Sequence, residues 1–175
     1  NVGQIDHATF WKPAVTPTLF RLHEPGHPGT PLTIKVPFFN GGEKETEINA
    51  QVWVKLEINS NLDYFVPEFL LDYNLPSAPE WVQEASKQLY SAKSEIIKAN
   101  QRRLLGSGVW PLMQKLGLTA RTIHLNEQHG VAVTLHLMLR EIKSRLGSQF
   151  SELLTDKDIL DIADKVAKQL VYTIH

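Results

Sequence analysis

Thr122-Ile123-His124-Leu125-Asn126-Glu127-Gln128-His129-Gly130-Val131 is the stretch on which the fold turns. Its apolar run, Thr122 to Leu125, stops at an Asx residue. From Val131 onward Leu135, Met138, Leu139, Ile142 and Leu146 recur at i+4, i+7, i+8, i+11 and i+15. That spacing predicts a helix with one apolar stripe. Asn126 stands where an N-cap belongs, which puts Glu127, Gln128 and His129 in the helix's first turn, and Gly147 supplies the stop. Thr155 with Asp158 three residues later is a capping-box variant, and Ile159, Ile162, Ala163 and Val166 mark a second helix. Leu170 to Ile174 then returns as a strand. Two apolar strands joined by a helical crossover predict parallel pairing with a right-handed connection.

Parallel α/β sheets hold ligands outside the carboxyl ends of their strands. In this unit those ends carry Asn126, Glu127, Gln128 and His129 after the first strand and His175 after the second. Two imidazoles, a carboxylate and an amide therefore converge on one rim. A polar helix start also arises simply to satisfy orphan N–H groups, so pattern alone leaves both readings open. His124, inside the apolar strand, reads as a buried structural residue, and His136, within the helix, as packed or exposed. Neither belongs to an HExxH arrangement, which argues against zinc.

Working back toward the N-terminus, Gly106-Ser107-Gly108 with Pro111 behind it follows a helical pattern (Ile96, Ile97, Leu104, Leu105) rather than a strand. A phosphate cradle needs the reverse order, so the glycines predict a helix break or close packing. Trp81, Val82, Ala85, Leu89 and Tyr90 mark an earlier helix. Before it the period changes to two: Ile48, Ala50, Val52, Val54, Leu56 and Ile58 alternate with polar residues, a long half-buried strand with Trp53 as the exception. Strands over Leu32–Val36 and Tyr64–Leu71 and a turn at Asn40-Gly41-Gly42 complete an antiparallel region. Residues 1–31 read as a Pro/Gly-rich irregular lead-in, where Pro25 and Pro28 prevent His23 and His27 from aligning as a helical metal pair. Trp53, Trp81 and Trp110 each sit in a periodic element, which favours packing over sugar stacking.

Composition narrows the function classes. Eighteen Lys and Arg against nineteen Asp and Glu leave a net charge of -1 over 175 residues, without the basic patch that nucleic-acid binding needs. No apolar run approaches the roughly 20 residues of a membrane helix. The absence of cysteine removes thiolate chemistry and fits a reducing, cytoplasmic location. The chain opens on Asn1 rather than Met and ends at His175 directly after a strand, as an excised piece would.

His124-Leu125-Asn126-Glu127-Gln128-His129 resembles the HLNEGH segment of the α-glucan phosphorylases, the glycogen, starch and maltodextrin family. Phe69-Leu70-Leu71-Asp72-Tyr73-Asn74-Leu75-Pro76 is similar to that family's LLDTN strand and turn. Leu89-Tyr90 and Glu95 through Val109 resemble its long helix, and Val171-Tyr172-Thr173-Ile174-His175 the strand leading into its TTHTP element. The order is collinear from about Leu32 to His175. Gln128 departs from the usual Gly or Thr, Gly130 from a small residue or proline, and Trp110 from an arginine.

The resemblance implies an α/β fold over 32–175: part of the Rossmann-like N-terminal domain of a two-domain, GT-B type glycosyltransferase. It implies transfer of a terminal glucosyl unit from an α-1,4-glucan to inorganic phosphate, giving glucose 1-phosphate. His175, Glu127, His129 and Asn126 would then bind the sugar, His175 at its 6-hydroxyl. Pyridoxal phosphate belongs to the second domain, whose lysine region has no counterpart here, so this chain alone should not turn over substrate. The implied partners are the glucan, phosphate and the remainder of the enzyme, with a homodimer as an allowed assembly. A non-catalytic carbohydrate-binding or assembly module of the same fold is the alternative, and a nucleotide-sugar glycosyltransferase is more distant.

Overall fold

The computed structural model describes residues 19–39, 45–59, 61, 63–87, 94–147 and 154–174. Among these residues six strands and four α-helices form a mixed α/β arrangement in two compact units, Asn1–Gln101 and Arg102–His175. The Asn40-Gly41-Gly42 turn, Leu89, Tyr90 and His175 lie outside the described residues. No helix among those described is long and apolar enough to cross a membrane.

In the first unit the period-two pattern builds a sheet around one long strand, β3 (Glu45–Ile58). β1 (Leu19–Arg21) pairs with it antiparallel along Trp53–Lys55, β2 (Thr33–Phe39) along Glu45–Gln51, and β4 (Phe65–Asp72) along Gln51–Ile58. β1 corrects the expectation of a wholly irregular lead-in. Three residues become a strand because a preformed edge of β3 offers them hydrogen bonds, a partner that local sequence does not reveal. Ile48, Ala50, Val52 and Val54 turn to one face together with Ile34 and Val36, and all are buried. α1 (Glu80–Lys87) buries Val82 and Ala85, and its Trp81 ring stands 4.7 Å from that of Phe38. Trp53, off the apolar face, lies under the Arg21 guanidinium at 4.4 Å.

α2 (Glu95–Lys115) runs unbroken through Gly106-Ser107-Gly108 and Pro111. Of the two outcomes expected there, a break or close packing, the second is found. Pro111 cannot donate to the Ser107 carbonyl one turn back, a defect of about 3 kcal/mol in an isolated helix. The second unit offsets it through a seam with α3 (Val131–Leu146). Gly106 abuts Ala132, the Ser107 hydroxyl and His136 Nε2 share a 2.7 Å hydrogen bond, and Arg140 stacks on Trp110 at 3.9 Å. The contacts advance together along both helices, so the two run in the same direction at the seam. His136 is thus packed, half-buried at the seam and bonded to a buried serine.

β5 (Ile123–Asn126) and β6 (Leu170–Thr173) pair in parallel, as their apolar character predicted. Behind them Leu125, Val133, Leu137, Ile142, Ile162 and Val166 form the core. The stripe expected on α3 holds in its second half, where Ile142 is buried and Met138 and Leu146 pack against the core, but not in its first: Val131 and Leu135 are exposed, whereas Ala132, Val133 and Leu137 are buried. Apolar residues surround much of this helix, so its period admits more than one inward face; the seam at Gly106 selects the face through Ala132. α4 (Asp156–Ala167) follows its sequence closely, with Ile162 and Val166 inward and Ile159 turned outward. The Thr155 backbone N–H donates to Asp158 Oδ2 at 3.1 Å and the Asp158 N–H to Thr155 Oγ1 at 3.2 Å, closing the capping box.

Glu141 on α3 binds Arg145 at 2.9 Å and, across to α4, Lys165 at 2.6 Å. The hydrogen bond from Lys165, then that from Arg145, lowers the Glu141 carboxyl below its ordinary value. Its stabilising effect is complete above the unfolded carboxylate value of about 4.3 and is lost as pH falls through the lower folded value. The melting-temperature gap between wild type and Glu141→Gln is therefore expected to be constant near neutral pH and to narrow as pH falls below about 4.3. A gap independent of pH would contradict this link between the helices.

Candidate functional site at the carboxyl end of β5

The site begins where β5 stops. Asn126 remains in the strand, paired with Thr173, and is followed by a 3-10 turn over Glu127–Gly130 before α3 starts. Gly130, not Asn126, is the N-cap residue, and it makes no side-chain cap bond. The expected cap at Asn126 is thus corrected: the β5–β6 ladder holds Asn126 extended, and the turn inserts four residues between it and the helix.

Glu127 carries the turn's distinctive feature. With φ of 52° it is the one positive-φ residue other than glycine among those described. A left-handed backbone at an L-residue with a side chain costs roughly 1–2 kcal/mol and persists where the surroundings enforce it. Two close contacts supply the enforcement. A Cβ on Gly130 would meet Leu125 Cδ2 at 2.9 Å, so the end of the turn folds directly onto the strand that opens it. Two residues on, a Cβ on Gly106 would meet Ala132 Cβ at 2.3 Å and the Val133 backbone nitrogen at 2.7 Å, so the start of α3 is pressed against α2. The turn is clamped on both sides.

This conformation presents a carboxyl group and an imidazole together. His129 Nε2 lies 3.6 Å from Glu127 Oε2, and the two side chains are 40% and 36% exposed. They stay adjacent while remaining open to a ligand. Asn126 is exposed beside them at the strand end. The structure therefore brings Asn126, Glu127 and His129 to one rim, as the sequence led us to expect. The Gln128 side chain and the whole of His175 lie outside the described residues. His124, expected to be buried, is exposed on the open face of β5 and shares a 2.5 Å hydrogen bond with Thr173 Oγ1. Strand alternation explains it, since Leu125 takes the inward position.

A second crevice in this unit is lined by Gly106, Val109, Trp110, Met113, Ile123 and Val133 among others and is apolar. It marks imperfect packing along the α2–α3 seam and gathers no convergent charges. The unpredicted features of the site are the Glu127 backbone and the two glycine clamps. Gly130, directly after the histidine, was the sequence signal that could have revealed a close approach.

Comparison with known proteins finds a partial likeness. Over 78 residues, 45% of this chain, the sequence is 32% identical to a glycogen phosphorylase of Aquifex aeolicus (strain VF5). The match spans 11% of that enzyme's length. No family model and no solved structure matches the chain. The likeness suggests the glycogen phosphorylase family at most, in keeping with the motif resemblance.

Proposed function

We propose that this chain supplies part of the sugar pocket of an α-glucan phosphorylase. Such an enzyme transfers a terminal glucosyl unit of an α-1,4-glucan to inorganic phosphate and releases glucose 1-phosphate. The observation that carries the reading is Glu127, held in a left-handed backbone beside His129 at the carboxyl end of a parallel strand. Strain of this kind is not needed to connect a strand to a helix, and it concentrates where a side chain must be aimed.

Asn126, Glu127 and His129, with His175, contact the terminal sugar in this reading. A carboxylate accepts hydrogen bonds from sugar hydroxyls, an imidazole can donate or accept, and an amide does both. A neutral polyol suits such a set better than a charge-dense ligand does. Each polar partner left unmatched by a wrong sugar costs about 1–3 kcal/mol, which is the source of selectivity. In this reading the parallel β5–β6 pair and the helices between its strands belong to the Rossmann-like, GT-B type N-terminal domain of which 32–175 is a part.

Pyridoxal phosphate, the family's cofactor, does not fit the residues described here. The described lysines are exposed or half-buried, and Lys35, Lys98, Lys165 and Lys168 are engaged with carboxylates. None of the four belongs to the Asn126–His129 turn. In this proposal the cofactor is held by residues outside this chain, and no step is assigned to it here.

The test is phosphate-dependent release of glucose 1-phosphate from maltodextrin by the full-length protein. Release supports the phosphorylase reading. Maltodextrin binding without release favours the non-catalytic module, and neither binding nor release rejects both. A sharper signature lies in Glu127→Gly. Glycine relieves the left-handed strain but is entropically freer when unfolded, so stability should rise by roughly 0.5–1 kcal/mol. Maltoheptaose affinity should fall at least tenfold in the same variant. Loss of stability together with unchanged affinity would contradict the role given to Glu127.

A further inference from the structure

Resting on the phosphorylase reading, we infer that His124 is a positioning residue for the sugar site and acts through Thr173. His124 Nε2 stands 2.5 Å from Thr173 Oγ1 on the exposed face of the β5–β6 pair. The backbone register sets His124 opposite Val171 and Asn126 opposite Thr173. The side-chain bond therefore runs diagonally, from the middle of β5 to the carboxyl end of β6, a reach that suits a long side chain.

What this bond holds is otherwise weakly held. β6 has four residues, and Leu170 at its start packs against the core, whereas Val171, Tyr172 and Ile174 are exposed and Thr173, beside His124, is half-buried. A short strand anchored at one end frays at the other, because little burial opposes the opening. His124 ties that loose end to β5, two residues before Asn126 and three before Glu127. It thereby fixes where β6 ends relative to the turn that carries the proposed sugar contacts. His124 itself touches no sugar in this scheme; its effect on binding passes through the position of Thr173.

The experiment is a double-mutant cycle in the full-length protein, with maltoheptaose as ligand. His124→Ala and Thr173→Val are each expected to weaken binding about 2- to 12-fold, the equivalent of one hydrogen bond of 0.5–1.5 kcal/mol. The double variant should bind no more weakly than either single variant. His124→Gln, which keeps a side-chain donor and acceptor at similar reach, should recover most of the affinity. Additive losses, or a single variant that binds like wild type, would overturn the assignment. If the wild type binds no maltoheptaose, the phosphorylase reading fails on that result. The positioning role is then decided by the His129 ring signals in NMR spectra: both variants should shift them, and unmoved signals reject it.

Discussion

Leu137→Ala is expected to lower stability by about 2–5 kcal/mol, whereas Leu135→Ala, two residues away on the same helix, should cost less than about 1 kcal/mol. Leu137 is 5% exposed and belongs to the core with Leu125, Val133 and Ile162, while Leu135 is 57% exposed. Truncating Leu137 loses its transfer free energy and opens a space that Ile162 and Val166, each anchored on α4, cannot fill without moving a helix. Truncating Leu135 exchanges one solvated side chain for a smaller one. Urea denaturation of the two variants gives the comparison directly. The period of the sequence alone favours the opposite ranking, because Leu135 lies on the stripe through Val131, Met138 and Ile142. Equal losses would mean that α3 is rotated from the orientation described here.

Gly106→Ala is expected to cost about 2 kcal/mol or more in spite of replacing glycine by the best helix former. Two effects oppose each other. Helix propensity favours alanine by about 1 kcal/mol in the middle of α2. Against it, the new methyl would lie 2.3 Å from Ala132 Cβ and 2.7 Å from the Ala132 carbonyl carbon. Backbone cannot rotate aside as a long side chain can, so α2 and α3 must separate, and overpacking of this kind reaches or exceeds the top of the usual 1–3 kcal/mol range. The separation also releases the Ser107–His136 bond and the Arg140–Trp110 stack, which sit farther along the same seam. Thermal melts test the sign as well as the size. A variant more stable than wild type would show that propensity prevails and that the helices do not meet at Gly106. Because Ala132 follows the Glu127–Gly130 turn by two residues, the same variant should weaken maltoheptaose binding if that turn holds sugar.

Much of the fold was legible because some segments carry signals that a local environment suffices to read. Alternation over Ile48–Ile58 required a strand, since no helix places those six residues on one side, but its buried face ends at Val54, with Leu56 half-buried and Ile58 exposed. Thr155 and Asp158 identified the start of α4 because the capping box forms among neighbours, with the Thr155 hydroxyl and backbone N–H holding the Asp158 carboxyl below its ordinary value. Apolar strands flanking a helical crossover foretold the parallel pair β5–β6. The rim of Asn126, Glu127 and His129 followed from that pairing and the general placement of ligands at strand ends.

Other features needed a partner surface. Asn126 has a high cap propensity, yet the ladder to Thr173 holds it in the strand; its fate was decided by a residue 47 positions away. Gly106-Ser107-Gly108 and Pro111 read as either a break or close packing because an isolated helix would open there, and packing on α3 decided for the second. β1 exists because β3 supplies it an edge.

The sequence by itself determined the kinds and order of the elements, the parallel pair and the polar rim, because periodicity, caps and turns report interactions among near neighbours. The tertiary structure alone decided which side of α3 faces inward, that α2 continues through its glycines, and that Glu127 bends into the left-handed region. The physical reason is that each of these costs free energy locally and is repaid only by contacts between elements distant in the chain: Gly106 with Ala132, Ser107 with His136, and Asn126 with Thr173.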